Sequence, residues 1–410
     1  MAVWAVVIAG GAGTRFWPAS TPERPKQFLA LGPSSDEPLL AATYRRLLGL
    51  APPERIVVAT GVHLGDATRA LLPELPEENL LAEPAPRNTA ACIGWAARVI
   101  EERDPSAVVC VFPADHAMRD EGAFLSTARE AAAIAGEGRI VTIGLSPTRA
   151  ETGYGYLELG GPLDGHPRAR EVARFVEKPT RDVADGFLRG GRHLWNGGMF
   201  FFQASKMRGA IAAHLPALAA GLDEIHAARG DAREHVLARV FPTLPSISVD
   251  HGVMEHERGL AVVPGDFGWS DVGSWLTAWE LSQKDERANA VDPLALMIDS
   301  ERCLVRSLTS GRAKPIALVG VEDLVVVETD DALLVLRRDR AEDVRRAVDA
   351  LRARGLLRGD GVDEHRHGDG RQLARPCRAR GRGRQRARAE RPAHLSARRD
   401  LHGNDRADPR

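Results

Sequence analysis

The run Gly10-Gly11-Ala12-Gly13-Thr14-Arg15-Phe16-Trp17-Pro18-Ala19-Ser20 follows directly on the apolar stretch Val3 to Ala9 and continues to Pro25-Lys26-Gln27-Phe28. A strand that ends in glycines lets backbone N–H groups approach an anion closely, because no Cβ stands in the way. Arg15 can add a forked cation to the same anion and Lys26 a point charge, a combination suited to phosphate. Two familiar phosphate loops are excluded. No Lys-Ser or Lys-Thr follows the glycines, as a P-loop requires. A dinucleotide fingerprint needs a third glycine opening an immediate helix, and Phe16 stands there instead. Pro18, Pro22 and Pro25 forbid a regular helix, so the loop is expected to stay extended and wrap over its ligand. A glycine-rich turn alone is also what a plain structural turn looks like. Arg15 and Pro25-Lys26 in the same loop tip the reading to phosphate.

Two further segments carry chemistry. Pro86-Arg87-Asn88-Thr89-Ala90-Ala91 lies between a strand-like and a helix-like stretch. Asn88 or Thr89 suits a helix N-cap, and a helix N-terminus is equally an anion or base-edge site. Phe112-Pro113-Ala114-Asp115-His116 ends an apolar strand. In open α/β sheets ligands bind beyond the carboxyl ends of strands, where Asp115 falls, and Asp is a hard oxygen ligand suited to Mg²⁺. A capping or turn aspartate is the alternative for Asp115. His116 reads as a structural histidine.

Gly-Gly-x-Gly-Thr-Arg followed by Pro-Lys resembles the signature of sugar-nucleotide pyrophosphorylases, and Phe16–Ser20 with Pro25–Phe28 resembles their mannose-1-phosphate guanylyltransferase branch. The stretch from Glu83 through Arg87-Asn88-Thr89 is similar to that family's guanine-nucleotide segment, with Ala91 where proline is usual. Thr152-Gly153-Tyr154-Gly155-Tyr156, Phe175-Val176-Glu177-Lys178-Pro179, Trp195-Asn196-Gly197-Gly198-Met199 and Phe267-Gly268-Trp269-Ser270-Asp271-Val272-Gly273-Ser274-Trp275 resemble its remaining motifs. Val249-Asp250-His251-Gly252-Val253-Met254-Glu255 does too, with His251 in place of tyrosine and His256 in place of lysine.

The resemblance implies an enzyme that joins GTP and mannose 1-phosphate into GDP-mannose and pyrophosphate, with Mg²⁺ as cofactor. It implies Arg15, Lys26, Asp115 and Asp271 as catalytic, the two aspartates being metal ligands. Ala9, Gly10, Gly11, Gly13, Thr14, Glu83, Arg87, Asn88, Thr89 and Asp115 would bind nucleotide, and Gly153, Glu177, Lys178 and Asn196 the sugar phosphate. On its own, Glu177-Lys178 is also what a surface ion pair looks like. Rival readings are transfer to another hexose 1-phosphate, and a non-catalytic regulatory relative that binds nucleotide or sugar nucleotide. The second would be marked by loss of Lys26, Asp115 or Asp271, and all three are present.

The elements that must position these residues alternate in period. Strand-like runs at Val3–Ala9, Arg55–Thr60, Ala107–Phe112 and Arg139–Leu145 are separated by helical spacing near Leu40–Leu48, Asn88–Glu101 and Phe124–Ala135. Continuous apolar strands between amphipathic helices predict an α/β fold with a doubly wound, mainly parallel, Rossmann-like sheet. Further strands are expected at Tyr154–Leu157, Ala173–Glu177 and Met199–Gln203, and helices at Ala204–Ala220 and Ala232–Val240. Residues 1–285 thus read as one large α/β domain, which the resemblance makes a nucleotidyltransferase domain. Residues 290–355 read as a small β segment closed by a helix, packed on the first domain or on another subunit, and the resemblance implies a homodimer through it.

Of the 410 residues 44% are hydrophobic and 27% charged, an ordinary globular balance, and the net charge of −1 gives no whole-chain reason to expect nucleic acid or an anionic membrane. No apolar run approaches the ~20 residues of a membrane span, and Val3–Ala9 reads as a buried strand and not as a signal peptide. Cys92, Cys110, Cys303 and Cys377 show no paired ligand spacing, and Cys92 and Cys110, which lie in apolar segments, read as buried thiols in a reducing cytoplasm. Residues 358–410 hold 15 Arg, no Lys and 8 Asp plus Glu, a formal +7. An Arg-rich disordered tail from residue 357 is the expectation, with nucleic-acid binding or a non-native extension as alternatives.

Overall fold

The computed structural model describes residues 2–11, 14–33, 37–311 and 314–357. Gly13 and the Arg-rich stretch from residue 358 lie outside them. One sheet of nine strands runs through the first part of the chain: β1 (Val3–Ile8), β2 (Ile56–Gly61), β3 (Leu80–Glu83), β4 (Val108–Pro113), β5 (Val141–Leu145), β6 (Tyr156–Leu163), β7 (His166–Val176), β8 (His193–Gln203) and β9 (Ala261–Gly265). Their order is β3-β2-β1-β4-β8-β5-β9-β7-β6.

Every residue from Trp4 to Val7 is buried, but the two sets of side chains go to opposite faces. Trp4 and Val6 join the core beneath α3 (Asn88–Arg103), while Ala5 and Val7 join the one beneath α1 (Leu39–Leu47) and α4 (Glu121–Gly136), with α2 (Gly65–Leu71) beside β3. A strand covered on both faces reads as an unbroken apolar run, which is why its period carried no sidedness. The four strands β3, β2, β1 and β4 are parallel, as expected. Beyond β4 the sheet is mixed. β8 runs antiparallel to both β4 and β5, β9 is parallel to β5, and β7 and β6 close the edge antiparallel. Met199–Gln203 is as apolar as a parallel strand, so its direction was not legible locally.

After α5 (Arg181–Gly190), the expected single helix over 204–220 is two, α6 (Ala204–His214) and α7 (Pro216–Ala227). Pro216 has no N–H to continue α6 and is suited to open α7, where it sits in the first turn. α8 (Asp231–Val240) follows, and α9 (Trp275–Leu281) starts from a Ser274–Thr277 capping box.

The C-terminal strands β10 (Ala290–Val291), β11 (Ala295–Ile298), β12 (Leu304–Ser307), β13 (Ile316–Val319) and β14 (Leu324–Glu328) coil. β10, β12 and β14 stack in parallel in one sheet and β11 and β13 in another, so the chain alternates between two faces around Cys303, Val305, Leu318 and Val326. β15 (Leu333–Arg337) returns antiparallel and leads to α10 (Val344–Ala353). The coil and α10 pack on the first part of the chain: Leu304, Val325, Leu334, Val344 and Val348 share a core with Phe16, Ala19, Leu29 and Trp275. The glycine-loop segment is therefore braced by residues some 300 positions away.

Candidate active site

Where β1 ends, the Ala9 carbonyl accepts from Gln27 Nε2 at 2.8 Å and Thr60 Oγ1 at 3.2 Å. Gln27, 2% exposed, thus ties the far end of the loop back to its origin. Gly11 has φ +115°, which only glycine adopts without strain, and Thr14–Phe16 form a single 3₁₀ turn, not a regular helix. Phe16 is buried edge-on against Trp275, with ring centroids 5.0 Å apart, and Trp275 Nε1 donates to the Trp17 carbonyl at 3.2 Å.

These anchors set Lys26, 8% exposed, with its Nζ 2.7 Å from Asp115 Oδ2 and also donating to the Asp271 carbonyl. Arg15 Nη1 donates to the Gly273 carbonyl at 3.3 Å. A Cβ on Gly273 would stand 3.1 Å from Asp271 Oδ2 and 3.4 Å from Arg15 Nη1, so carboxylate and guanidinium flank that glycine. Arg15 and Lys26 from the loop after β1, Asp115 after β4 and Asp271 after β9 come from three separated segments and meet here. An isolated antiparallel bridge does part of the joining, for Ala117 and Ser270 exchange backbone hydrogen bonds of 2.9 and 3.0 Å and set Asp115 and Asp271 on adjacent strands of chain. Val272, buried and β-branched, takes φ +46° just after Asp271, a strained conformation of the kind that clusters at functional sites.

Burial, the largest single influence, raises the Asp115 carboxyl, but the Lys26 charge and hydrogen bond together with His116 hold the group below the usual range. Burial lowers the His116 imidazole, whose Nδ1 accepts from Trp269 Nε1 at 3.1 Å. Asp115 and Asp271 offer two hard oxygen donors, and among the described residues no group of three or more His, Cys, Asp or Glu is placed to hold a metal ion. Two carboxylates with the remaining positions left to phosphate oxygens and water is a donor set that fits Mg²⁺ held jointly with a substrate.

A cavity of about 250 Å³ opens beside this group, lined among others by Thr89, Gly153, Glu177, Asn196, Asp250 and Asp271. Lys178, Glu83 and Arg87 do not line it. Lys178, at φ +47°, points its Nζ to Glu177 Oε1 at 2.7 Å, the lysine side chain 57% exposed and the glutamate 7%. Asn196 is already engaged by protein: its Oδ1 accepts from Thr142 Oγ1 at 2.9 Å and the Gly198 N–H at 3.2 Å, and its Nδ2 donates to Asp250 Oδ1 at 2.9 Å. One amide hydrogen is left for a ligand. Asp250 and Tyr154 are the cleft residues that sequence reasoning did not single out. Asp250 lies in a run whose resemblance was noted, and its signal was a carboxylate between apolar neighbours, Val249 and Val253. Burial, then the nearby Glu177 charge, push Asp250 up to about 6.

On the other side of Thr89, Glu83 is 9% exposed and burial raises it to about 7. Glu83 Oε1 and Arg87 Nε are both buried without a hydrogen-bond partner, which marks an incomplete polar site. The capping reading of Asn88 and Thr89 does not hold. Asn88 is left-handed at φ +62° and its Oδ1 accepts from the adjacent Thr89 N–H, while Thr89 Oγ1 accepts from the distant Val249 N–H at 2.9 Å. The Ala90 N–H goes to the Ile247 carbonyl, so the start of α3 is tied in part to a remote loop.

A mixed sheet with a glycine loop, two cations and two carboxylates beyond its strand ends is the arrangement of a nucleotidyltransferase, and the chain belongs to the nucleotidyl transferase family, whose model matches residues 4–288. Residues 295–351 match the MannoseP isomerase/GMP-like beta-helix domain, in keeping with the coiled strands. Its relatives within the family include mannose-1-phosphate guanylyltransferases. It is 39% identical over 354 residues to that of Klebsiella pneumoniae and 38% over 354 to one of Escherichia coli, covering in each case 85% of this chain and 73% of the relative. The crystal structure of mannose-1-phosphate geranyltransferase from Thermus thermophilus superposes with a TM-score of 0.76 at 35% identity, covering 86% of this chain and all of that one.

Proposed function

We propose that the protein transfers the guanylyl group of GTP to mannose 1-phosphate, forming GDP-mannose and pyrophosphate. The observation that carries this is the meeting of Arg15, Lys26, Asp115 and Asp271 beside a cleft lined by Glu177, Asn196 and Asp250. The activity of the named relatives supports the choice of nucleotide and sugar.

In this reading Ala9, Gly10, Gly11, Gly13 and Thr14 wrap the triphosphate, and Arg15 and Lys26 neutralise it. Glu83, Arg87, Asn88 and Thr89 take the nucleoside, a role suited to the unpartnered atoms of Glu83 and Arg87. Gly153, Glu177 and Asn196 receive the sugar, with Lys178 on its phosphate. Asp115 and Asp271 would hold Mg²⁺, which when bound supplies charge neutralisation at the phosphates. A phosphate oxygen of mannose 1-phosphate forms the new bond to the α-phosphorus of GTP as the bond from that phosphorus to the bridging oxygen breaks, and the electron pair leaves with pyrophosphate. The attacking phosphate is already anionic, so no protein base is required and the chain's work is orientation and electrostatics.

Residues 1–285 would carry this chemistry as one domain, and 290–355 would make a homodimer. Leu296, Ile298 and Val319, 57%, 44% and 62% exposed, form an outward apolar row on the paired strands β11 and β13, which supports a subunit contact. A cytoplasmic location agrees with the free, buried thiols of Cys92, Cys110 and Cys303. Pyrophosphate release is the test, with mannose 1-phosphate or glucose 1-phosphate, Mg²⁺ and each nucleoside triphosphate in turn. Release with GTP and mannose 1-phosphate is expected; release with another pair only would overturn the substrate assignment.

A further inference from the structure

Tyr154 touches both halves of the cleft, by different parts of the residue. Its hydroxyl donates to Asp271 Oδ1 at 2.7 Å, and its backbone carbonyl accepts from the Lys178 N–H at 3.2 Å. The ring that carries the hydroxyl is held edge-on by Trp195 at 5.2 Å and by Trp269 at 5.5 Å. Trp269 is itself fixed by its bond to His116, the neighbour of Asp115, and Trp195 lies one residue before Asn196 on β8. The phenol therefore has little freedom to leave Asp271 without disturbing residues on both sides. Asp271 needs such a restraint. Its carboxylate projects from the loop after the Ala117–Ser270 bridge, and the Lys26 ammonium takes its backbone carbonyl, not its side chain.

We propose that Tyr154 is a positioning residue, whose hydroxyl fixes the orientation of the Asp271 carboxylate while its backbone holds the strained turn at Lys178. This inference rests on Asp271 as a ligand of the divalent cation. Its consequence is that Tyr154 contributes to cation affinity and turnover without being a cation ligand, much as outer-shell hydrogen bonds orient the ligands of other metal sites.

The test is Tyr154→Phe, which keeps the ring and its two tryptophan contacts and removes only the hydroxyl. Mn²⁺ binding to the enzyme–GTP complex, followed by the free-ion electron paramagnetic resonance signal, is measured for wild type, Tyr154→Phe, Asp271→Asn and the double variant. Tyr154→Phe is expected to weaken Mn²⁺ by about 10-fold and to lower kcat comparably, with KM for mannose 1-phosphate nearly unchanged. With Asp271→Asn already in place, adding Tyr154→Phe should cost little more, because both changes remove one interaction. Wild-type Mn²⁺ affinity and kcat in Tyr154→Phe would overturn the proposal, as would losses that simply multiply in the double variant. A wild type that turns over a different substrate pair refutes the substrate reading alone, since the cycle is then run with that pair. Unchanged Mn²⁺ affinity in Asp271→Asn refutes the ligand assignment and the Tyr154 proposal together.

Discussion

On the proposed phosphate side of the cleft, Arg15 and Lys26 reach Gly273 and Asp115 from the loop after β1; on the proposed sugar side, Asn196 on β8 is tied to Asp250 in the segment after α8, with Glu177 after β7 lining the same cavity. The first side is an array of charges on chain that is strained at Val272 and open at Gly10 and Gly11. The second is a hydrogen-bonded lattice in which Asn196 already joins Thr142, Gly198 and Asp250. The difference separates two kinds of preorganisation. In the proposed reading, opposed charges wait for a polyanion to complete them, whereas the hydrogen-bonded side has its shape before any ligand arrives.

The comparison breaks most sharply at Lys26. Lys26→Met should lower kcat by roughly 10²–10³-fold with the far-ultraviolet circular dichroism unchanged, since in the proposed reading it removes a full charge aimed at the triphosphate. An activity within a few-fold of wild type would remove the phosphate side from the mechanism.

Shape is probed at Gly155. A Cβ there would fall 2.6 Å from Glu177 Oε2 and 3.3 Å from Asn196 Cβ, so Gly155→Ala must displace the Glu177 carboxylate. A displacement of that size costs about 100-fold in kcat/KM for the sugar phosphate, read by steady-state kinetics, with a much smaller change in nucleotide affinity.

Asn196→Ala should separate the two sides in stability. It strips a donor from Asp250 and a partner from Thr142, both inside the protein, and is expected to cost about 1–3 kcal/mol in urea unfolding. Lys26→Met should cost less than that, because the Asp115 side chain it leaves unpaired is 35% exposed.

The smallest effect is a pH dependence. With Asp250 raised to about 6 from 3.8, the folded state holds more protons than the unfolded one between those values, so this group's contribution to stability falls as pH rises through that window. Asp250→Asn should therefore gain melting temperature relative to wild type between pH 4 and pH 7, by a few degrees at most. A gap that is flat or narrows over that range would show the carboxyl is not perturbed by burial beside Glu177.

Much of this protein was legible before it was folded. The parallel half of the sheet followed from unbroken apolar strands between amphipathic helices, and the loop from Gly10 to Lys26 carried the glycine placement, two cations and three prolines on which the proposed phosphate role rests. Those are local properties, because backbone freedom and charge are written residue by residue. What stayed hidden depends on partners distant in the chain. The antiparallel insertion of β8 was hidden because a strand buried on both faces looks the same in either direction. Asn88 and Thr89 looked like caps until α3 was seen to take its partners from Ile247 and Val249. Tyr154 and Asp250 gained their places only when β6, β8 and the loop at Asp271 came together. The sequence by itself determined which residues could carry charge to a phosphate and how the first strands would be buried. Tertiary structure alone decided which carboxylate each of those groups would face, because a hydrogen bond is satisfied by whatever lies within about 3 Å, however far away it is in the chain.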